Sequence, residues 1–112
     1  MSAPDLATLL RRAQEVQERM AALQRDLARR RVEGSAGAGM VRAVATGELR
    51  ILEIAIDPQL LASGDRAMLQ DLVAAAVNAA LGQAQRMVQE EMQRAAATLQ
   101  APAGVLPQGT PE

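Results

Sequence analysis

The sequence predicts an α+β domain in which a small antiparallel sheet lies between two long helices. Three observations support this fold class. An apolar stripe at helical spacing runs through the first 30 residues. Segments rich in β-branched residues follow it, with turn-forming residues between them. A second stripe at helical spacing then occupies residues 69–88, so the predicted order is helix, sheet, helix in a single domain.

The first helix is predicted from about Pro4 to Arg31. Ser2 precedes it as a candidate N-cap, Pro4 takes an early helical position, and Asp5 lies in the first turn, where the helix dipole favours an acid. The apolar residues recur at alternating spacings of three and four, which is a coiled-coil-like pattern over three heptads. They are Leu6, Leu9, Ala13, Val16, Met20, Leu23 and Leu27.

The sheet is predicted from the segments MVRAVAT (40–46) and LRILEIAID (49–57). Thr46-Gly47 between them is predicted to form a tight hairpin turn, and residues 32–35 supply a short preceding strand. Pro58 denies the sheet a hydrogen-bond donor and so ends the last strand, while Asp57 caps the short turn PQLL. A sheet of this size has two open edges.

The stretch GSAGAGMV (34–41) raises the question of a phosphate-binding loop. Its spacing is G-x-x-G-x-G, the chain has no lysine, and a strand follows where a phosphate loop would lead into a helix. The glycines are therefore predicted to form a bend or bulge where the chain leaves a helix and enters the sheet, close to a partner's backbone.

The second long helix is predicted from about Asp65 to Leu99, with Ser63 or Asp65 as its cap. Its alanine-rich centre, DLVAAAVNAAL, presents little bulk and lets another element approach closely. The apolar face comprises Leu69, Leu72, Val73, Ala76, Val77, Ala80, Leu81, Ala84, Met87 and Val88. Prolines and glycines beyond it predict a disordered tail over 100–112, which leaves 1–99 as the single domain.

The residue inventory excludes most catalytic and metal chemistry. Cysteine, histidine and lysine are absent, and serine occurs only at positions 2, 35 and 63, so no catalytic triad, thiolate site or Ser-Lys pair can be assembled. We expect no enzyme activity, cofactor, metal or small-molecule substrate. No run approaches the roughly 18 apolar residues of a membrane span, and no secretory signal is recognisable, so we expect a cytoplasmic protein without membrane contact.

The apolar inventory predicts self-association. It is wholly aliphatic, because the chain has no Phe, Tyr or Trp. Two long helices cannot both bury a full apolar stripe on a sheet of two or three strands. A homodimer that shares its sheets or pairs its helices would cover the remaining apolar surface.

Arginine is the residue type that points to nucleic acid. Every positive side chain is arginine, which grips phosphate in a bidentate way, and residues 1–33 carry seven positive and five negative charges. The run Arg29-Arg30-Arg31 is predicted to form a positive patch beside Arg42, doubled by a dimer axis. The remaining candidates for phosphate contact are Arg11, Arg12, Arg19 and Arg25.

Two other interpretations of these arginines remain open. Acids interleave with them along the first helix, which is equally typical of a solvated helix face, and arginines at a helix end complement the helix dipole. The near-neutral chain, with a net charge of −1, also fits a helical module that binds another protein without contacting DNA.

The expected mode of DNA binding follows from the residues that are present and absent. Aromatic stacking platforms are lacking, which argues against single strands, and no helix-turn-helix pattern is present. Backbone-dominated binding to duplex DNA is therefore expected. With about six arginines of a dimer on phosphates, the logarithm of affinity would fall against that of salt with a slope near −5.

Two blocks, GSAGAGMVRAVATGEL (34–49) and EIAIDPQLL with DRAMLQDLVAAAVNAAL (53–81), resemble the YbaB/EbfC family of small bacterial nucleoid-associated DNA-binding proteins. The likeness covers about residues 5–98. It implies an α-β-β-β-α subunit, an intertwined tweezer-like homodimer, and cytoplasmic, nucleoid-associated binding of duplex DNA with weak sequence preference. Asp57, Asp71 and Asn78 match recurrent family positions; Asp57 is interpreted as a cap and Asp71 as helix surface. Asn78 is either a helix-face residue or bonded to a neighbouring backbone or its symmetry mate.

Overall fold

The computed structural model describes residues 5–100 and confirms the predicted α-β-β-β-α order. One short helix not predicted as such lies between the sheet and the second long helix. The elements are α1 (Leu6–Arg29), β1 (Arg31–Ala36), β2 (Val41–Thr46), β3 (Ile51–Ile56), α2 (Pro58–Ala62) and α3 (Arg66–Gln100).

The first helix is shorter than predicted at both ends. Asp5 is its N-cap and accepts a 2.9 Å hydrogen bond from the Thr8 N–H, so the prediction that Asp5 lies within the first turn is wrong. Residues 2 and 4 lie outside the described part of the chain. At the other end Arg30 is extended (φ −72, ψ 136), which ends the helix at Arg29 and lets Arg31 open β1.

The Asp5 cap depends on ionisation of its carboxyl. Hydrogen bonding from Thr8 lowers the pKa of Asp5 below its ordinary value, because the charged form is the better acceptor. The ionised carboxyl therefore stabilises the folded chain at pH values above the pKa that Asp5 has in the unfolded chain. That contribution is lost as the pH falls through the lower pKa of the folded state.

The sheet is antiparallel with the strand order β1-β2-β3. Its register places Gly34 opposite Ala43 and Val41 opposite Ile56, so these side-chain positions share one face. A shift in register beside Val44 leaves Leu52 as an extra residue in β3, which is a β-bulge.

The connection between β2 and β3 is longer than the predicted Thr46-Gly47 turn. Thr46 is the last residue of β2, and the reversal occupies residues 47–50. The Thr46 hydroxyl accepts a 3.2 Å hydrogen bond from the Glu48 N–H, and Leu49 adopts a positive φ of 65°. The prediction of a two-residue hairpin turn was wrong, because the local hydrogen bond to Thr46 and the conformation of Leu49 stabilise a wider turn.

The glycine-rich stretch forms the turn between β1 and β2, not the helix-to-sheet junction that was predicted. Gly37 and Gly39 have φ values of 64° and 91°, which glycine adopts at no steric cost, and the Met40 N–H donates to the Gly37 carbonyl. Gly34 lies within β1, where a Cβ would be 2.6 Å from the carbonyl carbon of Ala79. The close approach is therefore to the chain's own α3.

The core lies where α3 crosses β1 and β2. Its buried residues among those described are Val41, Ala43, Ala45, Leu60, Ala76, Ala80 and Ala84. The predicted alanine face of α3 is thus confirmed, and its small side chains allow the helix backbone to approach the sheet. Because α3 makes few contacts with β3, that strand keeps exposed apolar side chains at the edge of the sheet.

The ends of α3 differ little from the prediction. Asp65 caps the helix by accepting a 3.0 Å bond from the Met68 N–H, whereas Ser63 ends α2 and accepts from the Asp65 N–H. The helix reaches Gln100, one residue further than predicted. The rest of the predicted tail, 101–112, lies outside the described residues.

Candidate nucleic-acid interface

The candidate interface is an arm formed where α1 and α3 extend beyond the sheet. Leu27 of α1 lies beside Val88 of α3, whereas Met20 lies beside Ala95 and Thr98. As residue numbers fall along α1 they rise along α3, so the two helices run in opposite directions. The described chain is correspondingly elongated, with extents of 76 × 36 × 15 Å.

A groove of about 300 Å³ separates the two helices of this arm. Met20, Leu23 and Ala95 give it an apolar lining, and Arg19 and Arg94 add charge. The remaining lining residues are Glu91 and Thr98.

Glu91 ties the end of α1 to α3. One of its carboxylate oxygens lies 2.6 Å from Arg94 Nη1 and 3.4 Å from Arg30 Nη1, and Arg30 also lies 3.8 Å from Asp26. The hydrogen bond from Arg94, helped by the charges of Arg94 and Arg30, lowers the pKa of Glu91. The network therefore persists above the ordinary glutamate pKa and is lost as the pH falls through the depressed value. Exposed pairs of this kind stabilise little but restrict where the arginines point.

The predicted cluster Arg29-Arg30-Arg31 is divided between three structural settings. Arg29 ends α1, Arg30 occupies the junction and Arg31 begins β1; all three are exposed. Because Arg30 pairs with Asp26 and Glu91, part of the charge of the predicted positive patch is compensated within the chain.

Arg42 does not lie beside that cluster. Arg31 pairs with Thr46, whereas Arg42 pairs with Ser35 near the other end of β2, about 13 Å along the strand. Arg42 also lies 3.8 Å from Glu33. The predicted patch joining Arg42 to the cluster is therefore wrong, because strand register separates residues that the sequence places close together.

The remaining candidates lie along the exposed surface of α1. The ion pairs within residues 5–98 include none of them, and Arg19 also lines the groove. Successive residues of a helix are rotated by about 100° around its axis, so these candidates and Arg29 project within one arc of roughly 140°, the arginine arc. These candidates are Arg11, Arg12, Arg19 and Arg25.

Arg94 was missed as a member of this site. The sequence places Arg94 in the second helix, where the apolar face is the dominant pattern. Its position opposite Arg19 depends on how α1 and α3 align, and that alignment is visible only in the folded chain. The spacing of three between Glu91 and Arg94 was the only local signal.

Other polar residues singled out in the sequence have structural settings. Asp57 caps α2 by accepting a 2.8 Å bond from the Gln59 N–H, which confirms its interpretation. Asp71 and Asn78 lie on exposed positions of α3. Within the described residues, no group of three or more acidic side chains is arranged to hold a metal ion. None of the helices described over that range is long and apolar enough to cross a membrane.

Comparison with known proteins identifies the family. The model of the YbaB/EbfC DNA-binding family matches residues 1–99, nearly the whole chain. The chain belongs to the YbaB/EbfC DNA-binding family. The resemblance carried by the two blocks of the sequence is thereby confirmed.

Relatives of this YbaB/EbfC chain share its length as well as its sequence. It is 40% identical over 108 residues to the nucleoid-associated protein CT0805 of Chlorobaculum tepidum, covering 96% of each chain. A nucleoid-associated protein of Pelotomaculum thermopropionicum is 40% identical over 102 residues, which cover 91% of this chain and 97% of the relative.

A solved structure supports the fold of this family member. The crystal structure of an uncharacterized Helicobacter pylori protein, HP0035, is similar with a TM-score of 0.67 at 17% identity. The match covers 82% of this chain and 97% of that one.

Proposed function

We propose that this chain is a nucleoid-associated protein that binds duplex DNA as a homodimer, mainly through arginine contacts to phosphates. The observation that carries the proposal is membership of a DNA-binding family, together with relatives named as nucleoid-associated proteins. The arginine arc on α1 supplies side chains of the right chemistry, since guanidinium groups bind phosphate oxygens in pairs.

Weak sequence specificity follows from the composition of this surface. Glu15, Glu18 and Asp26 share the exposed arc with the arginines, so the surface has mixed sign. Contacts to phosphates set position and affinity but do not read bases. We therefore expect moderate affinity that depends strongly on salt and little on DNA sequence.

Titration of a labelled duplex by fluorescence anisotropy at several salt concentrations tests this function. We expect saturable binding and a slope of log affinity against log salt near −5, as for about six phosphate contacts. A single strand of the same sequence should bind more weakly, because the chain offers no aromatic side chains for stacking. Failure to bind duplex even in dilute salt would refute the proposal and favour a protein-interaction module.

The homodimer is supported by apolar surface that one chain leaves uncovered. In β3, Leu52 and Ile54 are 48% and 42% exposed because α3 covers mainly the other two strands. Leu61 and Met68 add exposed apolar area nearby in the chain. An open, apolar edge strand is a ready site for pairing, so a second copy on β3 would cover it.

Light scattering at micromolar concentration should give a mass near twice the 11.8 kDa of one chain. Replacing Ile54 by aspartate should shift the mass toward that of one chain, because the interface would have to bury an unpaired charge. Glu53→Gln changes the neighbouring residue on the opposite face of β3 and should leave the mass unchanged. A wild-type mass of 11.8 kDa would contradict the dimer.

A further inference from the structure

Two arginines from different segments converge on one carboxylate of the arm. Oε2 of Glu91, on α3, accepts a 2.6 Å hydrogen bond from Nη1 of Arg94, which lies three residues further along the same helix. Nη1 of Arg30, at the junction between α1 and β1, lies 3.4 Å from the same oxygen. We call Arg30, Glu91 and Arg94 the Glu91 cluster. Among the described residues, Glu91 is the acid that pairs with two arginines.

The guanidinium groups of the Glu91 cluster are open to solvent, whereas the carboxylate is mostly covered. The side chains of Arg94 and Arg30 are 68% and 46% exposed, and that of Glu91 is 24% exposed. A guanidinium group carries five N–H donors, so one hydrogen bond to Glu91 leaves most donors of Arg94 for a ligand. A ligand that approaches from solvent therefore meets the two arginines first.

The carboxylate of Glu91 shows which class of ligand these arginines accept. Carboxylate and phosphate are the anions that match the fork of a guanidinium group. Because both nitrogens approach one oxygen, they lie within about 6 Å of each other, a separation that one phosphate group can bridge with two of its oxygens. Exposed ion pairs stabilise a fold little, so Glu91 can yield its position to another anion.

The Glu91 cluster also continues the arginine arc from α1 to α3. Arg19 belongs to that arc and lines the groove, where Arg94 lies on the opposite side. A duplex that contacts the arc at Arg19 therefore comes close to a guanidinium group of the second helix. The phosphate backbone is the anion that such a duplex brings to the cluster.

We propose that Arg30 and Arg94 bind a phosphate of the duplex, and that Glu91 competes with this phosphate for the same guanidinium groups. In the free chain the carboxylate occupies the position between the two arginines, and on binding a phosphate replaces it. Glu91 thereby lowers the affinity for DNA and limits the contact that α3 makes. This inference rests on the proposed function, since it requires that the arm binds duplex DNA.

Glu91→Gln tests the competition, because it keeps the size of the side chain and removes its charge. In the anisotropy titration we expect this variant to bind duplex about fivefold more tightly than the wild type, or better, in dilute salt. The slope of log affinity against log salt should become steeper by about 1 to 2, because a dimer would gain up to two full phosphate contacts. Misfolding of the variant cannot account for tighter binding.

Glu53→Gln is the matched control for this substitution. It removes the same charge from an exposed position of β3, and Glu53 takes part in no ion pair within residues 5–98. We expect Glu53→Gln to change the affinity for duplex by less than about twofold and to leave the salt slope unchanged.

A double-mutant cycle separates competition at the Glu91 cluster from an effect of net charge. In the wild type, Arg94→Gln should weaken duplex binding by less than about threefold, because Glu91 already compensates the charge of Arg94. In the Glu91→Gln background the same substitution should weaken binding by about fivefold or more. Net charge alone would make the two effects equal.

Four results would overturn the inference. The first is a Glu91→Gln variant that binds duplex no more tightly than Glu53→Gln, and the second is an equal effect of Arg94→Gln in both backgrounds. The third is weaker binding by Glu91→Gln than by the wild type, which would mean that Glu91 positions the arginines for DNA. These three results leave the proposed function intact. In the fourth, neither the wild type nor Glu91→Gln binds duplex, and the proposed function fails together with the inference.

Discussion

Replacing Gly34 by alanine should lower the free energy of unfolding by about 3 kcal/mol or more, the upper part of the range for overpacked cores. The added Cβ would meet the backbone of α3, including the Ala79 carbonyl carbon at 2.6 Å and the Ala80 nitrogen. Backbone atoms cannot rotate away as a flexible side chain can. The helix must therefore move off β1. That movement loosens the packing of α3 on the sheet, where Ala43 of β2 and Ala80 of α3 are fully buried.

Urea unfolding monitored by circular dichroism, at one fixed protein concentration, measures this change. Gly82→Ala is the matched control, since it adds the same methyl group within α3, where the nearest atom is Arg86 Nη1 at 3.8 Å. That substitution should raise stability by about 0.5 to 1 kcal/mol, because glycine is unfavourable inside a helix. If Gly34→Ala had the same urea midpoint of unfolding as the wild type, the inference that α3 packs closely on β1 at Gly34 would be contradicted.

The order of the elements could be predicted because its determinants are local. The spacing from Leu6 to Leu27 and the β-branched residues of β2 and β3 depend on a few neighbouring positions. Element ends were less predictable. Asp5 is a cap and Thr46 ends a strand because the side chain of each accepts a hydrogen bond from one backbone N–H. In the sequence, neighbouring polar residues are similar candidates for the same bonds.

The candidate site was less predictable than the fold because it depends on contacts between distant segments. The sequence shows which residues are arginine, but not that Arg30 shares Glu91 with Arg94. Nor does it show that the register of β1 and β2 separates Arg31 from Arg42. Both facts require the alignment of elements whose pairing partners lie far apart along the chain.

The arginines at the end of α1 should contribute unequally to DNA binding. We expect Arg29→Gln combined with Arg31→Gln to weaken duplex binding about a hundredfold or more. If both residues contact phosphate in each subunit of a dimer, four contacts are lost and the salt slope becomes shallower by about 3 to 4. Arg30→Gln should change affinity less per residue, because Asp26 and Glu91 already compensate its charge.

Arg66→Gln is the matched control for these substitutions, to be measured in the same anisotropy titration. Arg66 begins α3. That end of the helix lies near the turn at Gly37, because Leu72 packs against Gly37, whereas Val88 lies beside Gly47 at the end of the sheet where Arg31 begins β1. Arg66→Gln therefore alters the net charge of the chain without removing a charge from the proposed contact surface. A salt slope that changed as much per residue for Arg66→Gln as for the double variant would show that net charge, and not located phosphate contact, governs binding.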